Sequence, residues 1–151
     1  VVIGKSKNVF LDPIPDNFRL EENSKKAIIS ATAAITCSGT ATLECAVEDT
    51  PMVVCYKLSK ISWYIAKIVS RIKYSSIVNL ILNKKVVPEL LQDNMNSKNI
   101  IEEVTPLLNL KSFKRKKMLS DFNEIRKTLG IPGVYERAAS LIISKTFDNS
   151  K

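Results

Sequence analysis

The chain has 151 residues, a formal net charge of +8, three cysteines and no histidine. That length suits one domain with a real hydrophobic core, and the missing histidine excludes His-based triads, HExxH zinc sites and a His general base within it. The surplus of Lys over Arg reads partly as compositional drift, and the remaining positive charge favours anionic partners: phosphorylated substrates, anionic lipid head groups or nucleic acid.

In chain order, a short β-like run at Val9-Phe10-Leu11 meets Pro13 and Pro15, which break regular structure. Asn23-Ser24 can cap a helix from Lys25 to about Ala31. Ala33 to Cys37 is short and apolar, as a buried parallel strand would be. Ser38-Gly39-Thr40 is a small-residue loop, and Thr40 is placed to cap a helix over Thr42 to Glu48. Pro51 opens a second strand, Met52 to Tyr56, where a missing donor costs least. A helix N-terminus behind a small-residue loop offers N–H groups and a positive dipole end to a phosphate. The same residues also fit an ordinary βαβ turn with a solvated Glu44, and on pattern alone both readings stand. Cys37, Cys45 and Cys55 contain no CxxC pair and lie among apolar residues, so all three are expected as buried, reduced thiols of a cytosolic protein.

Residues 57–73 read as an amphipathic helix. Ile61, Ile65, Ile68 and Ile72 share one face, and Lys57, Lys60, Lys67 and Arg71 gather on a neighbouring one with Trp63 and Tyr64. Two readings are open: a surface helix packed on the sheet, or an interfacial helix with Lys60, Lys67, Arg71 and Trp63 at anionic head groups. Tyr74 to Leu80 reads as a strand ending at Asn79, Asn83-Lys84-Lys85 as a polar turn, and Pro88 as the opening of a helical turn carrying Glu89 and Gln92. Ser97 is expected to cap a helix through Leu108 that Pro106 ends or kinks. Residues 111–129 form a long helix that opens on Lys114-Arg115-Lys116-Lys117. Gly130 to Gly133 turn, and residues 134–147 form a last helix with Val134, Ala138, Leu141 and Ile142 on one face. No run is long and apolar enough to span a bilayer, and the start is not a secretory signal peptide.

Several blocks stand in a telling order: Ser38-Gly39-Thr40-Ala41-Thr42-Leu43-Glu44, Pro51-Met52-Val53-Val54, Asn79-Leu80, and Val87-Pro88-Glu89-Leu90-Leu91-Gln92. Together they resemble the carboxy-terminal half of lipid-A-disaccharide synthase. The resemblance is strong from about Ser24 to Leu108 and weaker over the last forty or so residues. It implies an α/β fold: a Rossmann-like parallel sheet flanked by helices, the carboxy-terminal half of a two-Rossmann-domain (GT-B type) glycosyltransferase. Residues 1–130 would form the nucleotide-sugar-binding domain, with 1–20 undiagnostic. Residues 131–151 would form a terminal helix and tail crossing to an amino-terminal domain outside this chain. The chain starts Val-Val-Ile and is about half as long as the family's members, so it reads as a fragment or as one part of a larger chain.

The implied reaction joins a UDP-activated 2,3-diacylglucosamine to 2,3-diacylglucosamine 1-phosphate and releases UDP. By the resemblance, the backbone of Ser38, Gly39, Thr40, Ala41 and Thr42 receives the diphosphate, and Glu44 accepts from the ribose hydroxyls. Asn79, with Ile77-Val78 before it where many members have Leu-Pro, reads uracil or ribose, and Glu89 and Gln92 face the donor cleft. Tyr56 packs. No residue of this chain looks like the catalytic base, which the family keeps in its other half, so the chain alone is expected to bind donor nucleotide without turnover. No cofactor and no metal is implied. The implied partners are the two lipid substrates, the inner face of the inner membrane, the amino-terminal domain, and a second copy through the terminal helix. Another UDP-sugar transferase or epimerase is the nearer alternative. A basic nucleic-acid-binding module is the more distant one, disfavoured because no RNA- or DNA-binding motif is present.

Overall fold

The computed structural model describes residues 1–4, 13–59, 63, 73–131 and 133–148. The run at Val9-Phe10-Leu11 and most of the basic segment 57–73, including Lys60, Lys67 and Arg71, lie outside the described residues. Within that segment Trp63 is described: it is helical and half-buried, and its N–H donates to the Ser59 carbonyl at 2.9 Å.

The described strands all pair in parallel. β1 (Val2–Gly4) pairs with β2 (Arg19–Glu21) in one small sheet, which the sequence reading did not anticipate. A second sheet has the order β3-β4-β5, with β3 at Ala34–Thr36, β4 at Met52–Tyr56 and β5 at Glu89–Leu91. Met52, Val53 and Val54 are all fully buried. A continuous apolar run has no polar face to offer water, so it takes the central position, covered on both faces. Pro51 opens the strand as expected: it lacks an N–H, but its carbonyl accepts from Ala34 N at 2.8 Å.

Helices cover the sheets. α1 (Ser24–Ser30) is capped by Asn23, whose side chain accepts from Lys26 N. α2 (Thr40–Val47) buries Thr42, Cys45 and Ala46. α3 (Ile77–Leu82) is short, α4 (Ser97–Leu108) is capped by Asn96 rather than Ser97, and α5 (Phe113–Leu129) follows a Ser112 cap. α5 buries Met118, Phe122 and Ile125, one face of a helix at spacings of four and three. Its outer Arg126 reaches back to the Ala46 carbonyl and Asp49, which fixes α5 to the end of α2. Pro106 does not end α4. It lies in the last turn, where its missing N–H deprives only the Glu102 carbonyl of a partner.

α6 (Val134–Asp148) buries none of its side chains over residues 134–146, and Leu141, Ile142 and Ile143 are among the most exposed apolar groups of the chain. Among the described residues no helix is long and apolar enough to cross a membrane. The chain is thus α/β, with parallel sheets flanked by helices.

Three local expectations are corrected. Residues 74–80 are not a strand: the Ser76 hydroxyl accepts from Asn79 N at 3.3 Å, and this cap starts α3 instead. Glu89 is not in a helical turn but opens β5, and Gln92 follows it with φ +52° at the head of a 3-10 turn. Cys37 is exposed rather than buried, because β3 is the end strand of its sheet among the described residues and one of its faces is open at Ile35.

Candidate nucleotide-sugar site

The loop Cys37-Ser38-Gly39 leaves the carboxyl end of β3 and enters α2. In open parallel sheets the crevice beyond the carboxyl ends of the strands is where ligands bind. Helix α2 begins at Thr40 with Gly39 as its cap residue, one position earlier than the sequence suggested. Gly39 has φ +147°, a conformation that L side chains rarely adopt. A Cβ placed there would meet nothing within 4 Å, so the space over the loop is open to a ligand. Thr42 is fully buried and donates its hydroxyl to the Gly39 carbonyl at 2.8 Å, which locks the first turn from beneath. No side chain caps the helix and no acidic residue lies in its first turn, so its positive end is not offset locally.

Ser38 is held from the side. Its hydroxyl donates to the Ser75 carbonyl at 2.6 Å. The Glu89 carboxylate in turn accepts from Ser75 N (2.9 Å), the Ser75 hydroxyl (2.8 Å), Ser76 N (2.9 Å) and Asn79 Nδ2 (2.8 Å). Burial alone would raise the Glu89 carboxyl, but the N–H groups of Ser75 and Ser76 and their hydroxyls outweigh it and hold the group below its ordinary value. Asn79 is fully buried. Its Nδ2 also donates to the Val87 carbonyl at 3.0 Å, and its Oδ1 accepts from Val86 N and Val87 N at 2.8 and 2.9 Å. Gln92 accepts from Leu58 N at 3.0 Å and so ties the exit of β4 to the exit of β5.

Sequence-separated blocks therefore meet, but in two different capacities. Ser38, Gly39, Thr40 and Ala41 line the open end of the loop and helix. Asn79 and Glu89 spend their polar atoms within the protein, Gln92 spends its Oε1 there, and Asn79 presents none to solvent. A carboxamide with both heteroatoms engaged in the interior reads a base or ribose only if this network opens. Ser75 and Ser76 went unread in the sequence. The signal was a Ser pair just before an apolar run, the ordinary mark of a helix cap.

Glu44 stands exposed, one turn along α2 from Thr40. The two residues share a cavity of about 330 Å³ with Lys25, Leu43 and Glu48. That volume lies at the small end of the range for small-molecule sites, about 300–1,000 Å³. Two of the cavity's lining residues, Lys25 and Glu48, form an ion pair at 3.1 Å. A cavity of about 270 Å³ on another side runs past Glu89, Asn99 and Glu102. Among the described residues no group of three or more His, Cys, Asp or Glu is placed to hold a metal ion.

The family model for lipid-A-disaccharide synthetase matches residues 11–141. The lipid-A-disaccharide synthase of Prochlorococcus marinus (strain MIT 9313) is 39% identical over 119 residues, which are 78% of this chain and 30% of that protein. That of Syntrophus aciditrophicus (strain SB) is 36% identical over 118 residues, again 78% and 30%. That of Rickettsia conorii (strain ATCC VR-613 / Malish 7) is 34% identical over 120 residues, 80% of this chain and 26% of that protein. The chain thus spans about 30% of the length of these curated relatives. A match that runs through the Ser38 loop, α2, the Asn79–Glu89 network and on into α6 leaves one conclusion: this chain belongs to the lipid-A-disaccharide synthetase family.

Proposed function

We propose that this chain forms the donor-binding part of a glycosyltransferase that joins UDP-2,3-diacylglucosamine to 2,3-diacylglucosamine 1-phosphate, giving the lipid A disaccharide 1-phosphate and UDP. The observation that carries the reading is the uncapped start of α2 behind Gly39, with open space above it and Glu44 one turn along the same helix. Departing UDP gains charge on its β-phosphate as the bond to the sugar breaks. N–H groups of Thr40 and Ala41, fixed before the reaction, meet that charge without reorganising. The Thr40 hydroxyl adds a donor, while the Ser38 hydroxyl, already donating to the Ser75 carbonyl, holds the loop in place. Glu44 accepts from two adjacent ribose hydroxyls, a task for which a carboxylate is suited. Asn79, Glu89 and Gln92 act as positioning residues through Ser75 and Leu58. The base for the acceptor hydroxyl comes from chain beyond these residues, and this segment alone turns nothing over. The bare apolar stripe of α6 supports that reading, because such a face suits contact with further protein.

Calorimetric titration with UDP tests the site. Glu44→Ala should weaken binding by about 1.5–3 kcal/mol, the worth of charge-assisted hydrogen bonds. Since Glu44 is exposed, this variant should fold normally. Equal affinity in the two proteins would remove Glu44 from the site.

The acylated substrates place the enzyme at the cytoplasmic face of the inner membrane, with the basic segment 57–73 against anionic head groups. Vesicle sedimentation should then need anionic lipid, weaken as salt rises, and fall away when Lys60, Lys67 and Arg71 are all changed to Gln. Binding indifferent to lipid charge and to those changes would return the segment to a packing role.

A further inference from the structure

Thr36 on β3 stands opposite Val54 on β4, the last residues in a parallel register that begins at Ala34 and Met52. The next residue along each chain segment is a cysteine: Cys37 directly follows the last residue of β3, and Cys55 continues β4. Parallel strands lie about 4.7–4.9 Å apart, inside the Cα separation of about 4.4–6.8 Å that a disulfide needs. Residues opposite one another point to the same face, and on this face β3 is open: Ile35, two residues before Cys37, is 57% exposed. Cys37 is itself exposed, whereas Cys55 is 8% exposed. A reagent thus reaches one sulfur directly and finds the second beside it.

We propose that Cys37 and Cys55 form a dithiol site that hydroperoxides close into a disulfide and that trivalent arsenicals bridge. In the first step the Cys37 thiolate attacks a peroxide oxygen. The O–O bond breaks, and the departing hydroxide takes up the thiol proton as water, leaving a sulfenic acid. The Cys55 sulfur then attacks the Cys37 sulfur, the S–O bond breaks, and the second hydroxide leaves as water with the Cys55 proton. Two thiols give up two electrons and two protons; one hydrogen peroxide becomes two waters. The order follows from the surroundings. Burial raises the Cys55 thiol, and the charge of the neighbouring Cys37 raises it further. The third cysteine stays out of this chemistry: Cys45 is 1% exposed inside α2, and burial, then the Glu44 charge, raise it to about 11. A closed disulfide would fasten to β4 the residue that leads directly into Ser38.

The test is peptide mapping of the protein after stoichiometric hydrogen peroxide, digested without reductant. The expected product is a Cys37–Cys55 cross-linked peptide that dithiothreitol dissolves, with Cys45 still a free thiol once the chain is unfolded. Phenylarsine oxide, at one equivalent, should block maleimide labelling of Cys37, and a dithiol should restore it. Cys37→Ser, at an exposed position, should fold and lose both reactions. Cys55→Ala should keep a sulfenic acid at Cys37 that dimedone traps, with no internal cross-link. Sulfinic acid at Cys37 without any cross-link in the natural sequence, a link only between Cys37 residues of two molecules, or arsenical protection that survives Cys55→Ala would overturn the proposal.

Discussion

Asn79→Ala should destabilise the chain by about 3–4 kcal/mol, near the top of the range for a single change. The carboxamide lies at zero exposure and serves four partners: the Val86 and Val87 N–H groups, the Val87 carbonyl and the Glu89 carboxylate. Alanine leaves the Val87 N–H and the Val87 carbonyl with nothing to bond, each worth about 1–3 kcal/mol when stranded, and leaves the Val86 N–H only the Lys84 carbonyl at 3.0 Å. Some of that is recovered as the 86–87 segment relaxes toward water, so the sum is not reached. Urea unfolding should show a lower midpoint at an unchanged slope. Asn79→Asp separates shape from chemistry: it keeps an acceptor for Val86 and Val87 but sets a second carboxylate against Glu89. It should be at least as unstable at pH 7. A loss below about 1 kcal/mol for Asn79→Ala, accompanied by weakened UDP binding, would instead make Asn79 a ligand-reading residue.

What the sequence made legible, and what it hid, follows the range of the forces involved. The central strand could be read because five apolar residues after a proline have few other places to go, and Met52–Tyr56 is the strand observed. The buried face of α5 repeats at helical spacing, and Asn23 caps its own helix three residues on; both are local signals. The family was legible in a different way. Its blocks are far apart in the chain, and it was their order and residue types that marked the family, confirmed by the match over residues 11–141.

The roles of Asn79 and Glu89 were not legible. Periodicity carries no information about a carboxylate that bonds groups 10, 13 and 14 residues away. The six residues of α3 were too short and too β-branched to tell from a strand, and the Ser76 cap decides between them. Cys37 was misjudged because alternation along β3 shows which residues share a face but not whether anything covers that face.

Glu89→Gln should cost about 2–4 kcal/mol at pH 7, and the cost should shrink in acid. Each carboxylate oxygen accepts from donors only: Oε2 from the Ser75 N–H and hydroxyl, Oε1 from the Ser76 N–H and Asn79. An amide must turn its own NH2 toward one of these pairs, so at least one donor faces another, and the charge that strengthened the remaining bonds is gone. The sign of the pH effect follows from the shift. Glu89 is held below the ordinary value of 4.5 when folded, so its stabilisation is complete above that value in the unfolded chain. It is lost as pH falls through the lower, folded value. Denaturation of both proteins at pH 7, 5 and 3.5 should give curves that lie well apart at neutral pH and converge in acid; parallel curves would show that Glu89 is not the group being titrated. The loop provides the second readout. Ser75 is the residue that Glu89 grips and the one that holds Ser38, so Glu89→Gln should weaken UDP binding at temperatures where the protein is still fully folded. Unchanged UDP affinity in a folded Glu89→Gln protein would cut the proposed path from β5 through Ser75 to the phosphate loop, and would leave the start of α2 to hold its ligand without that support.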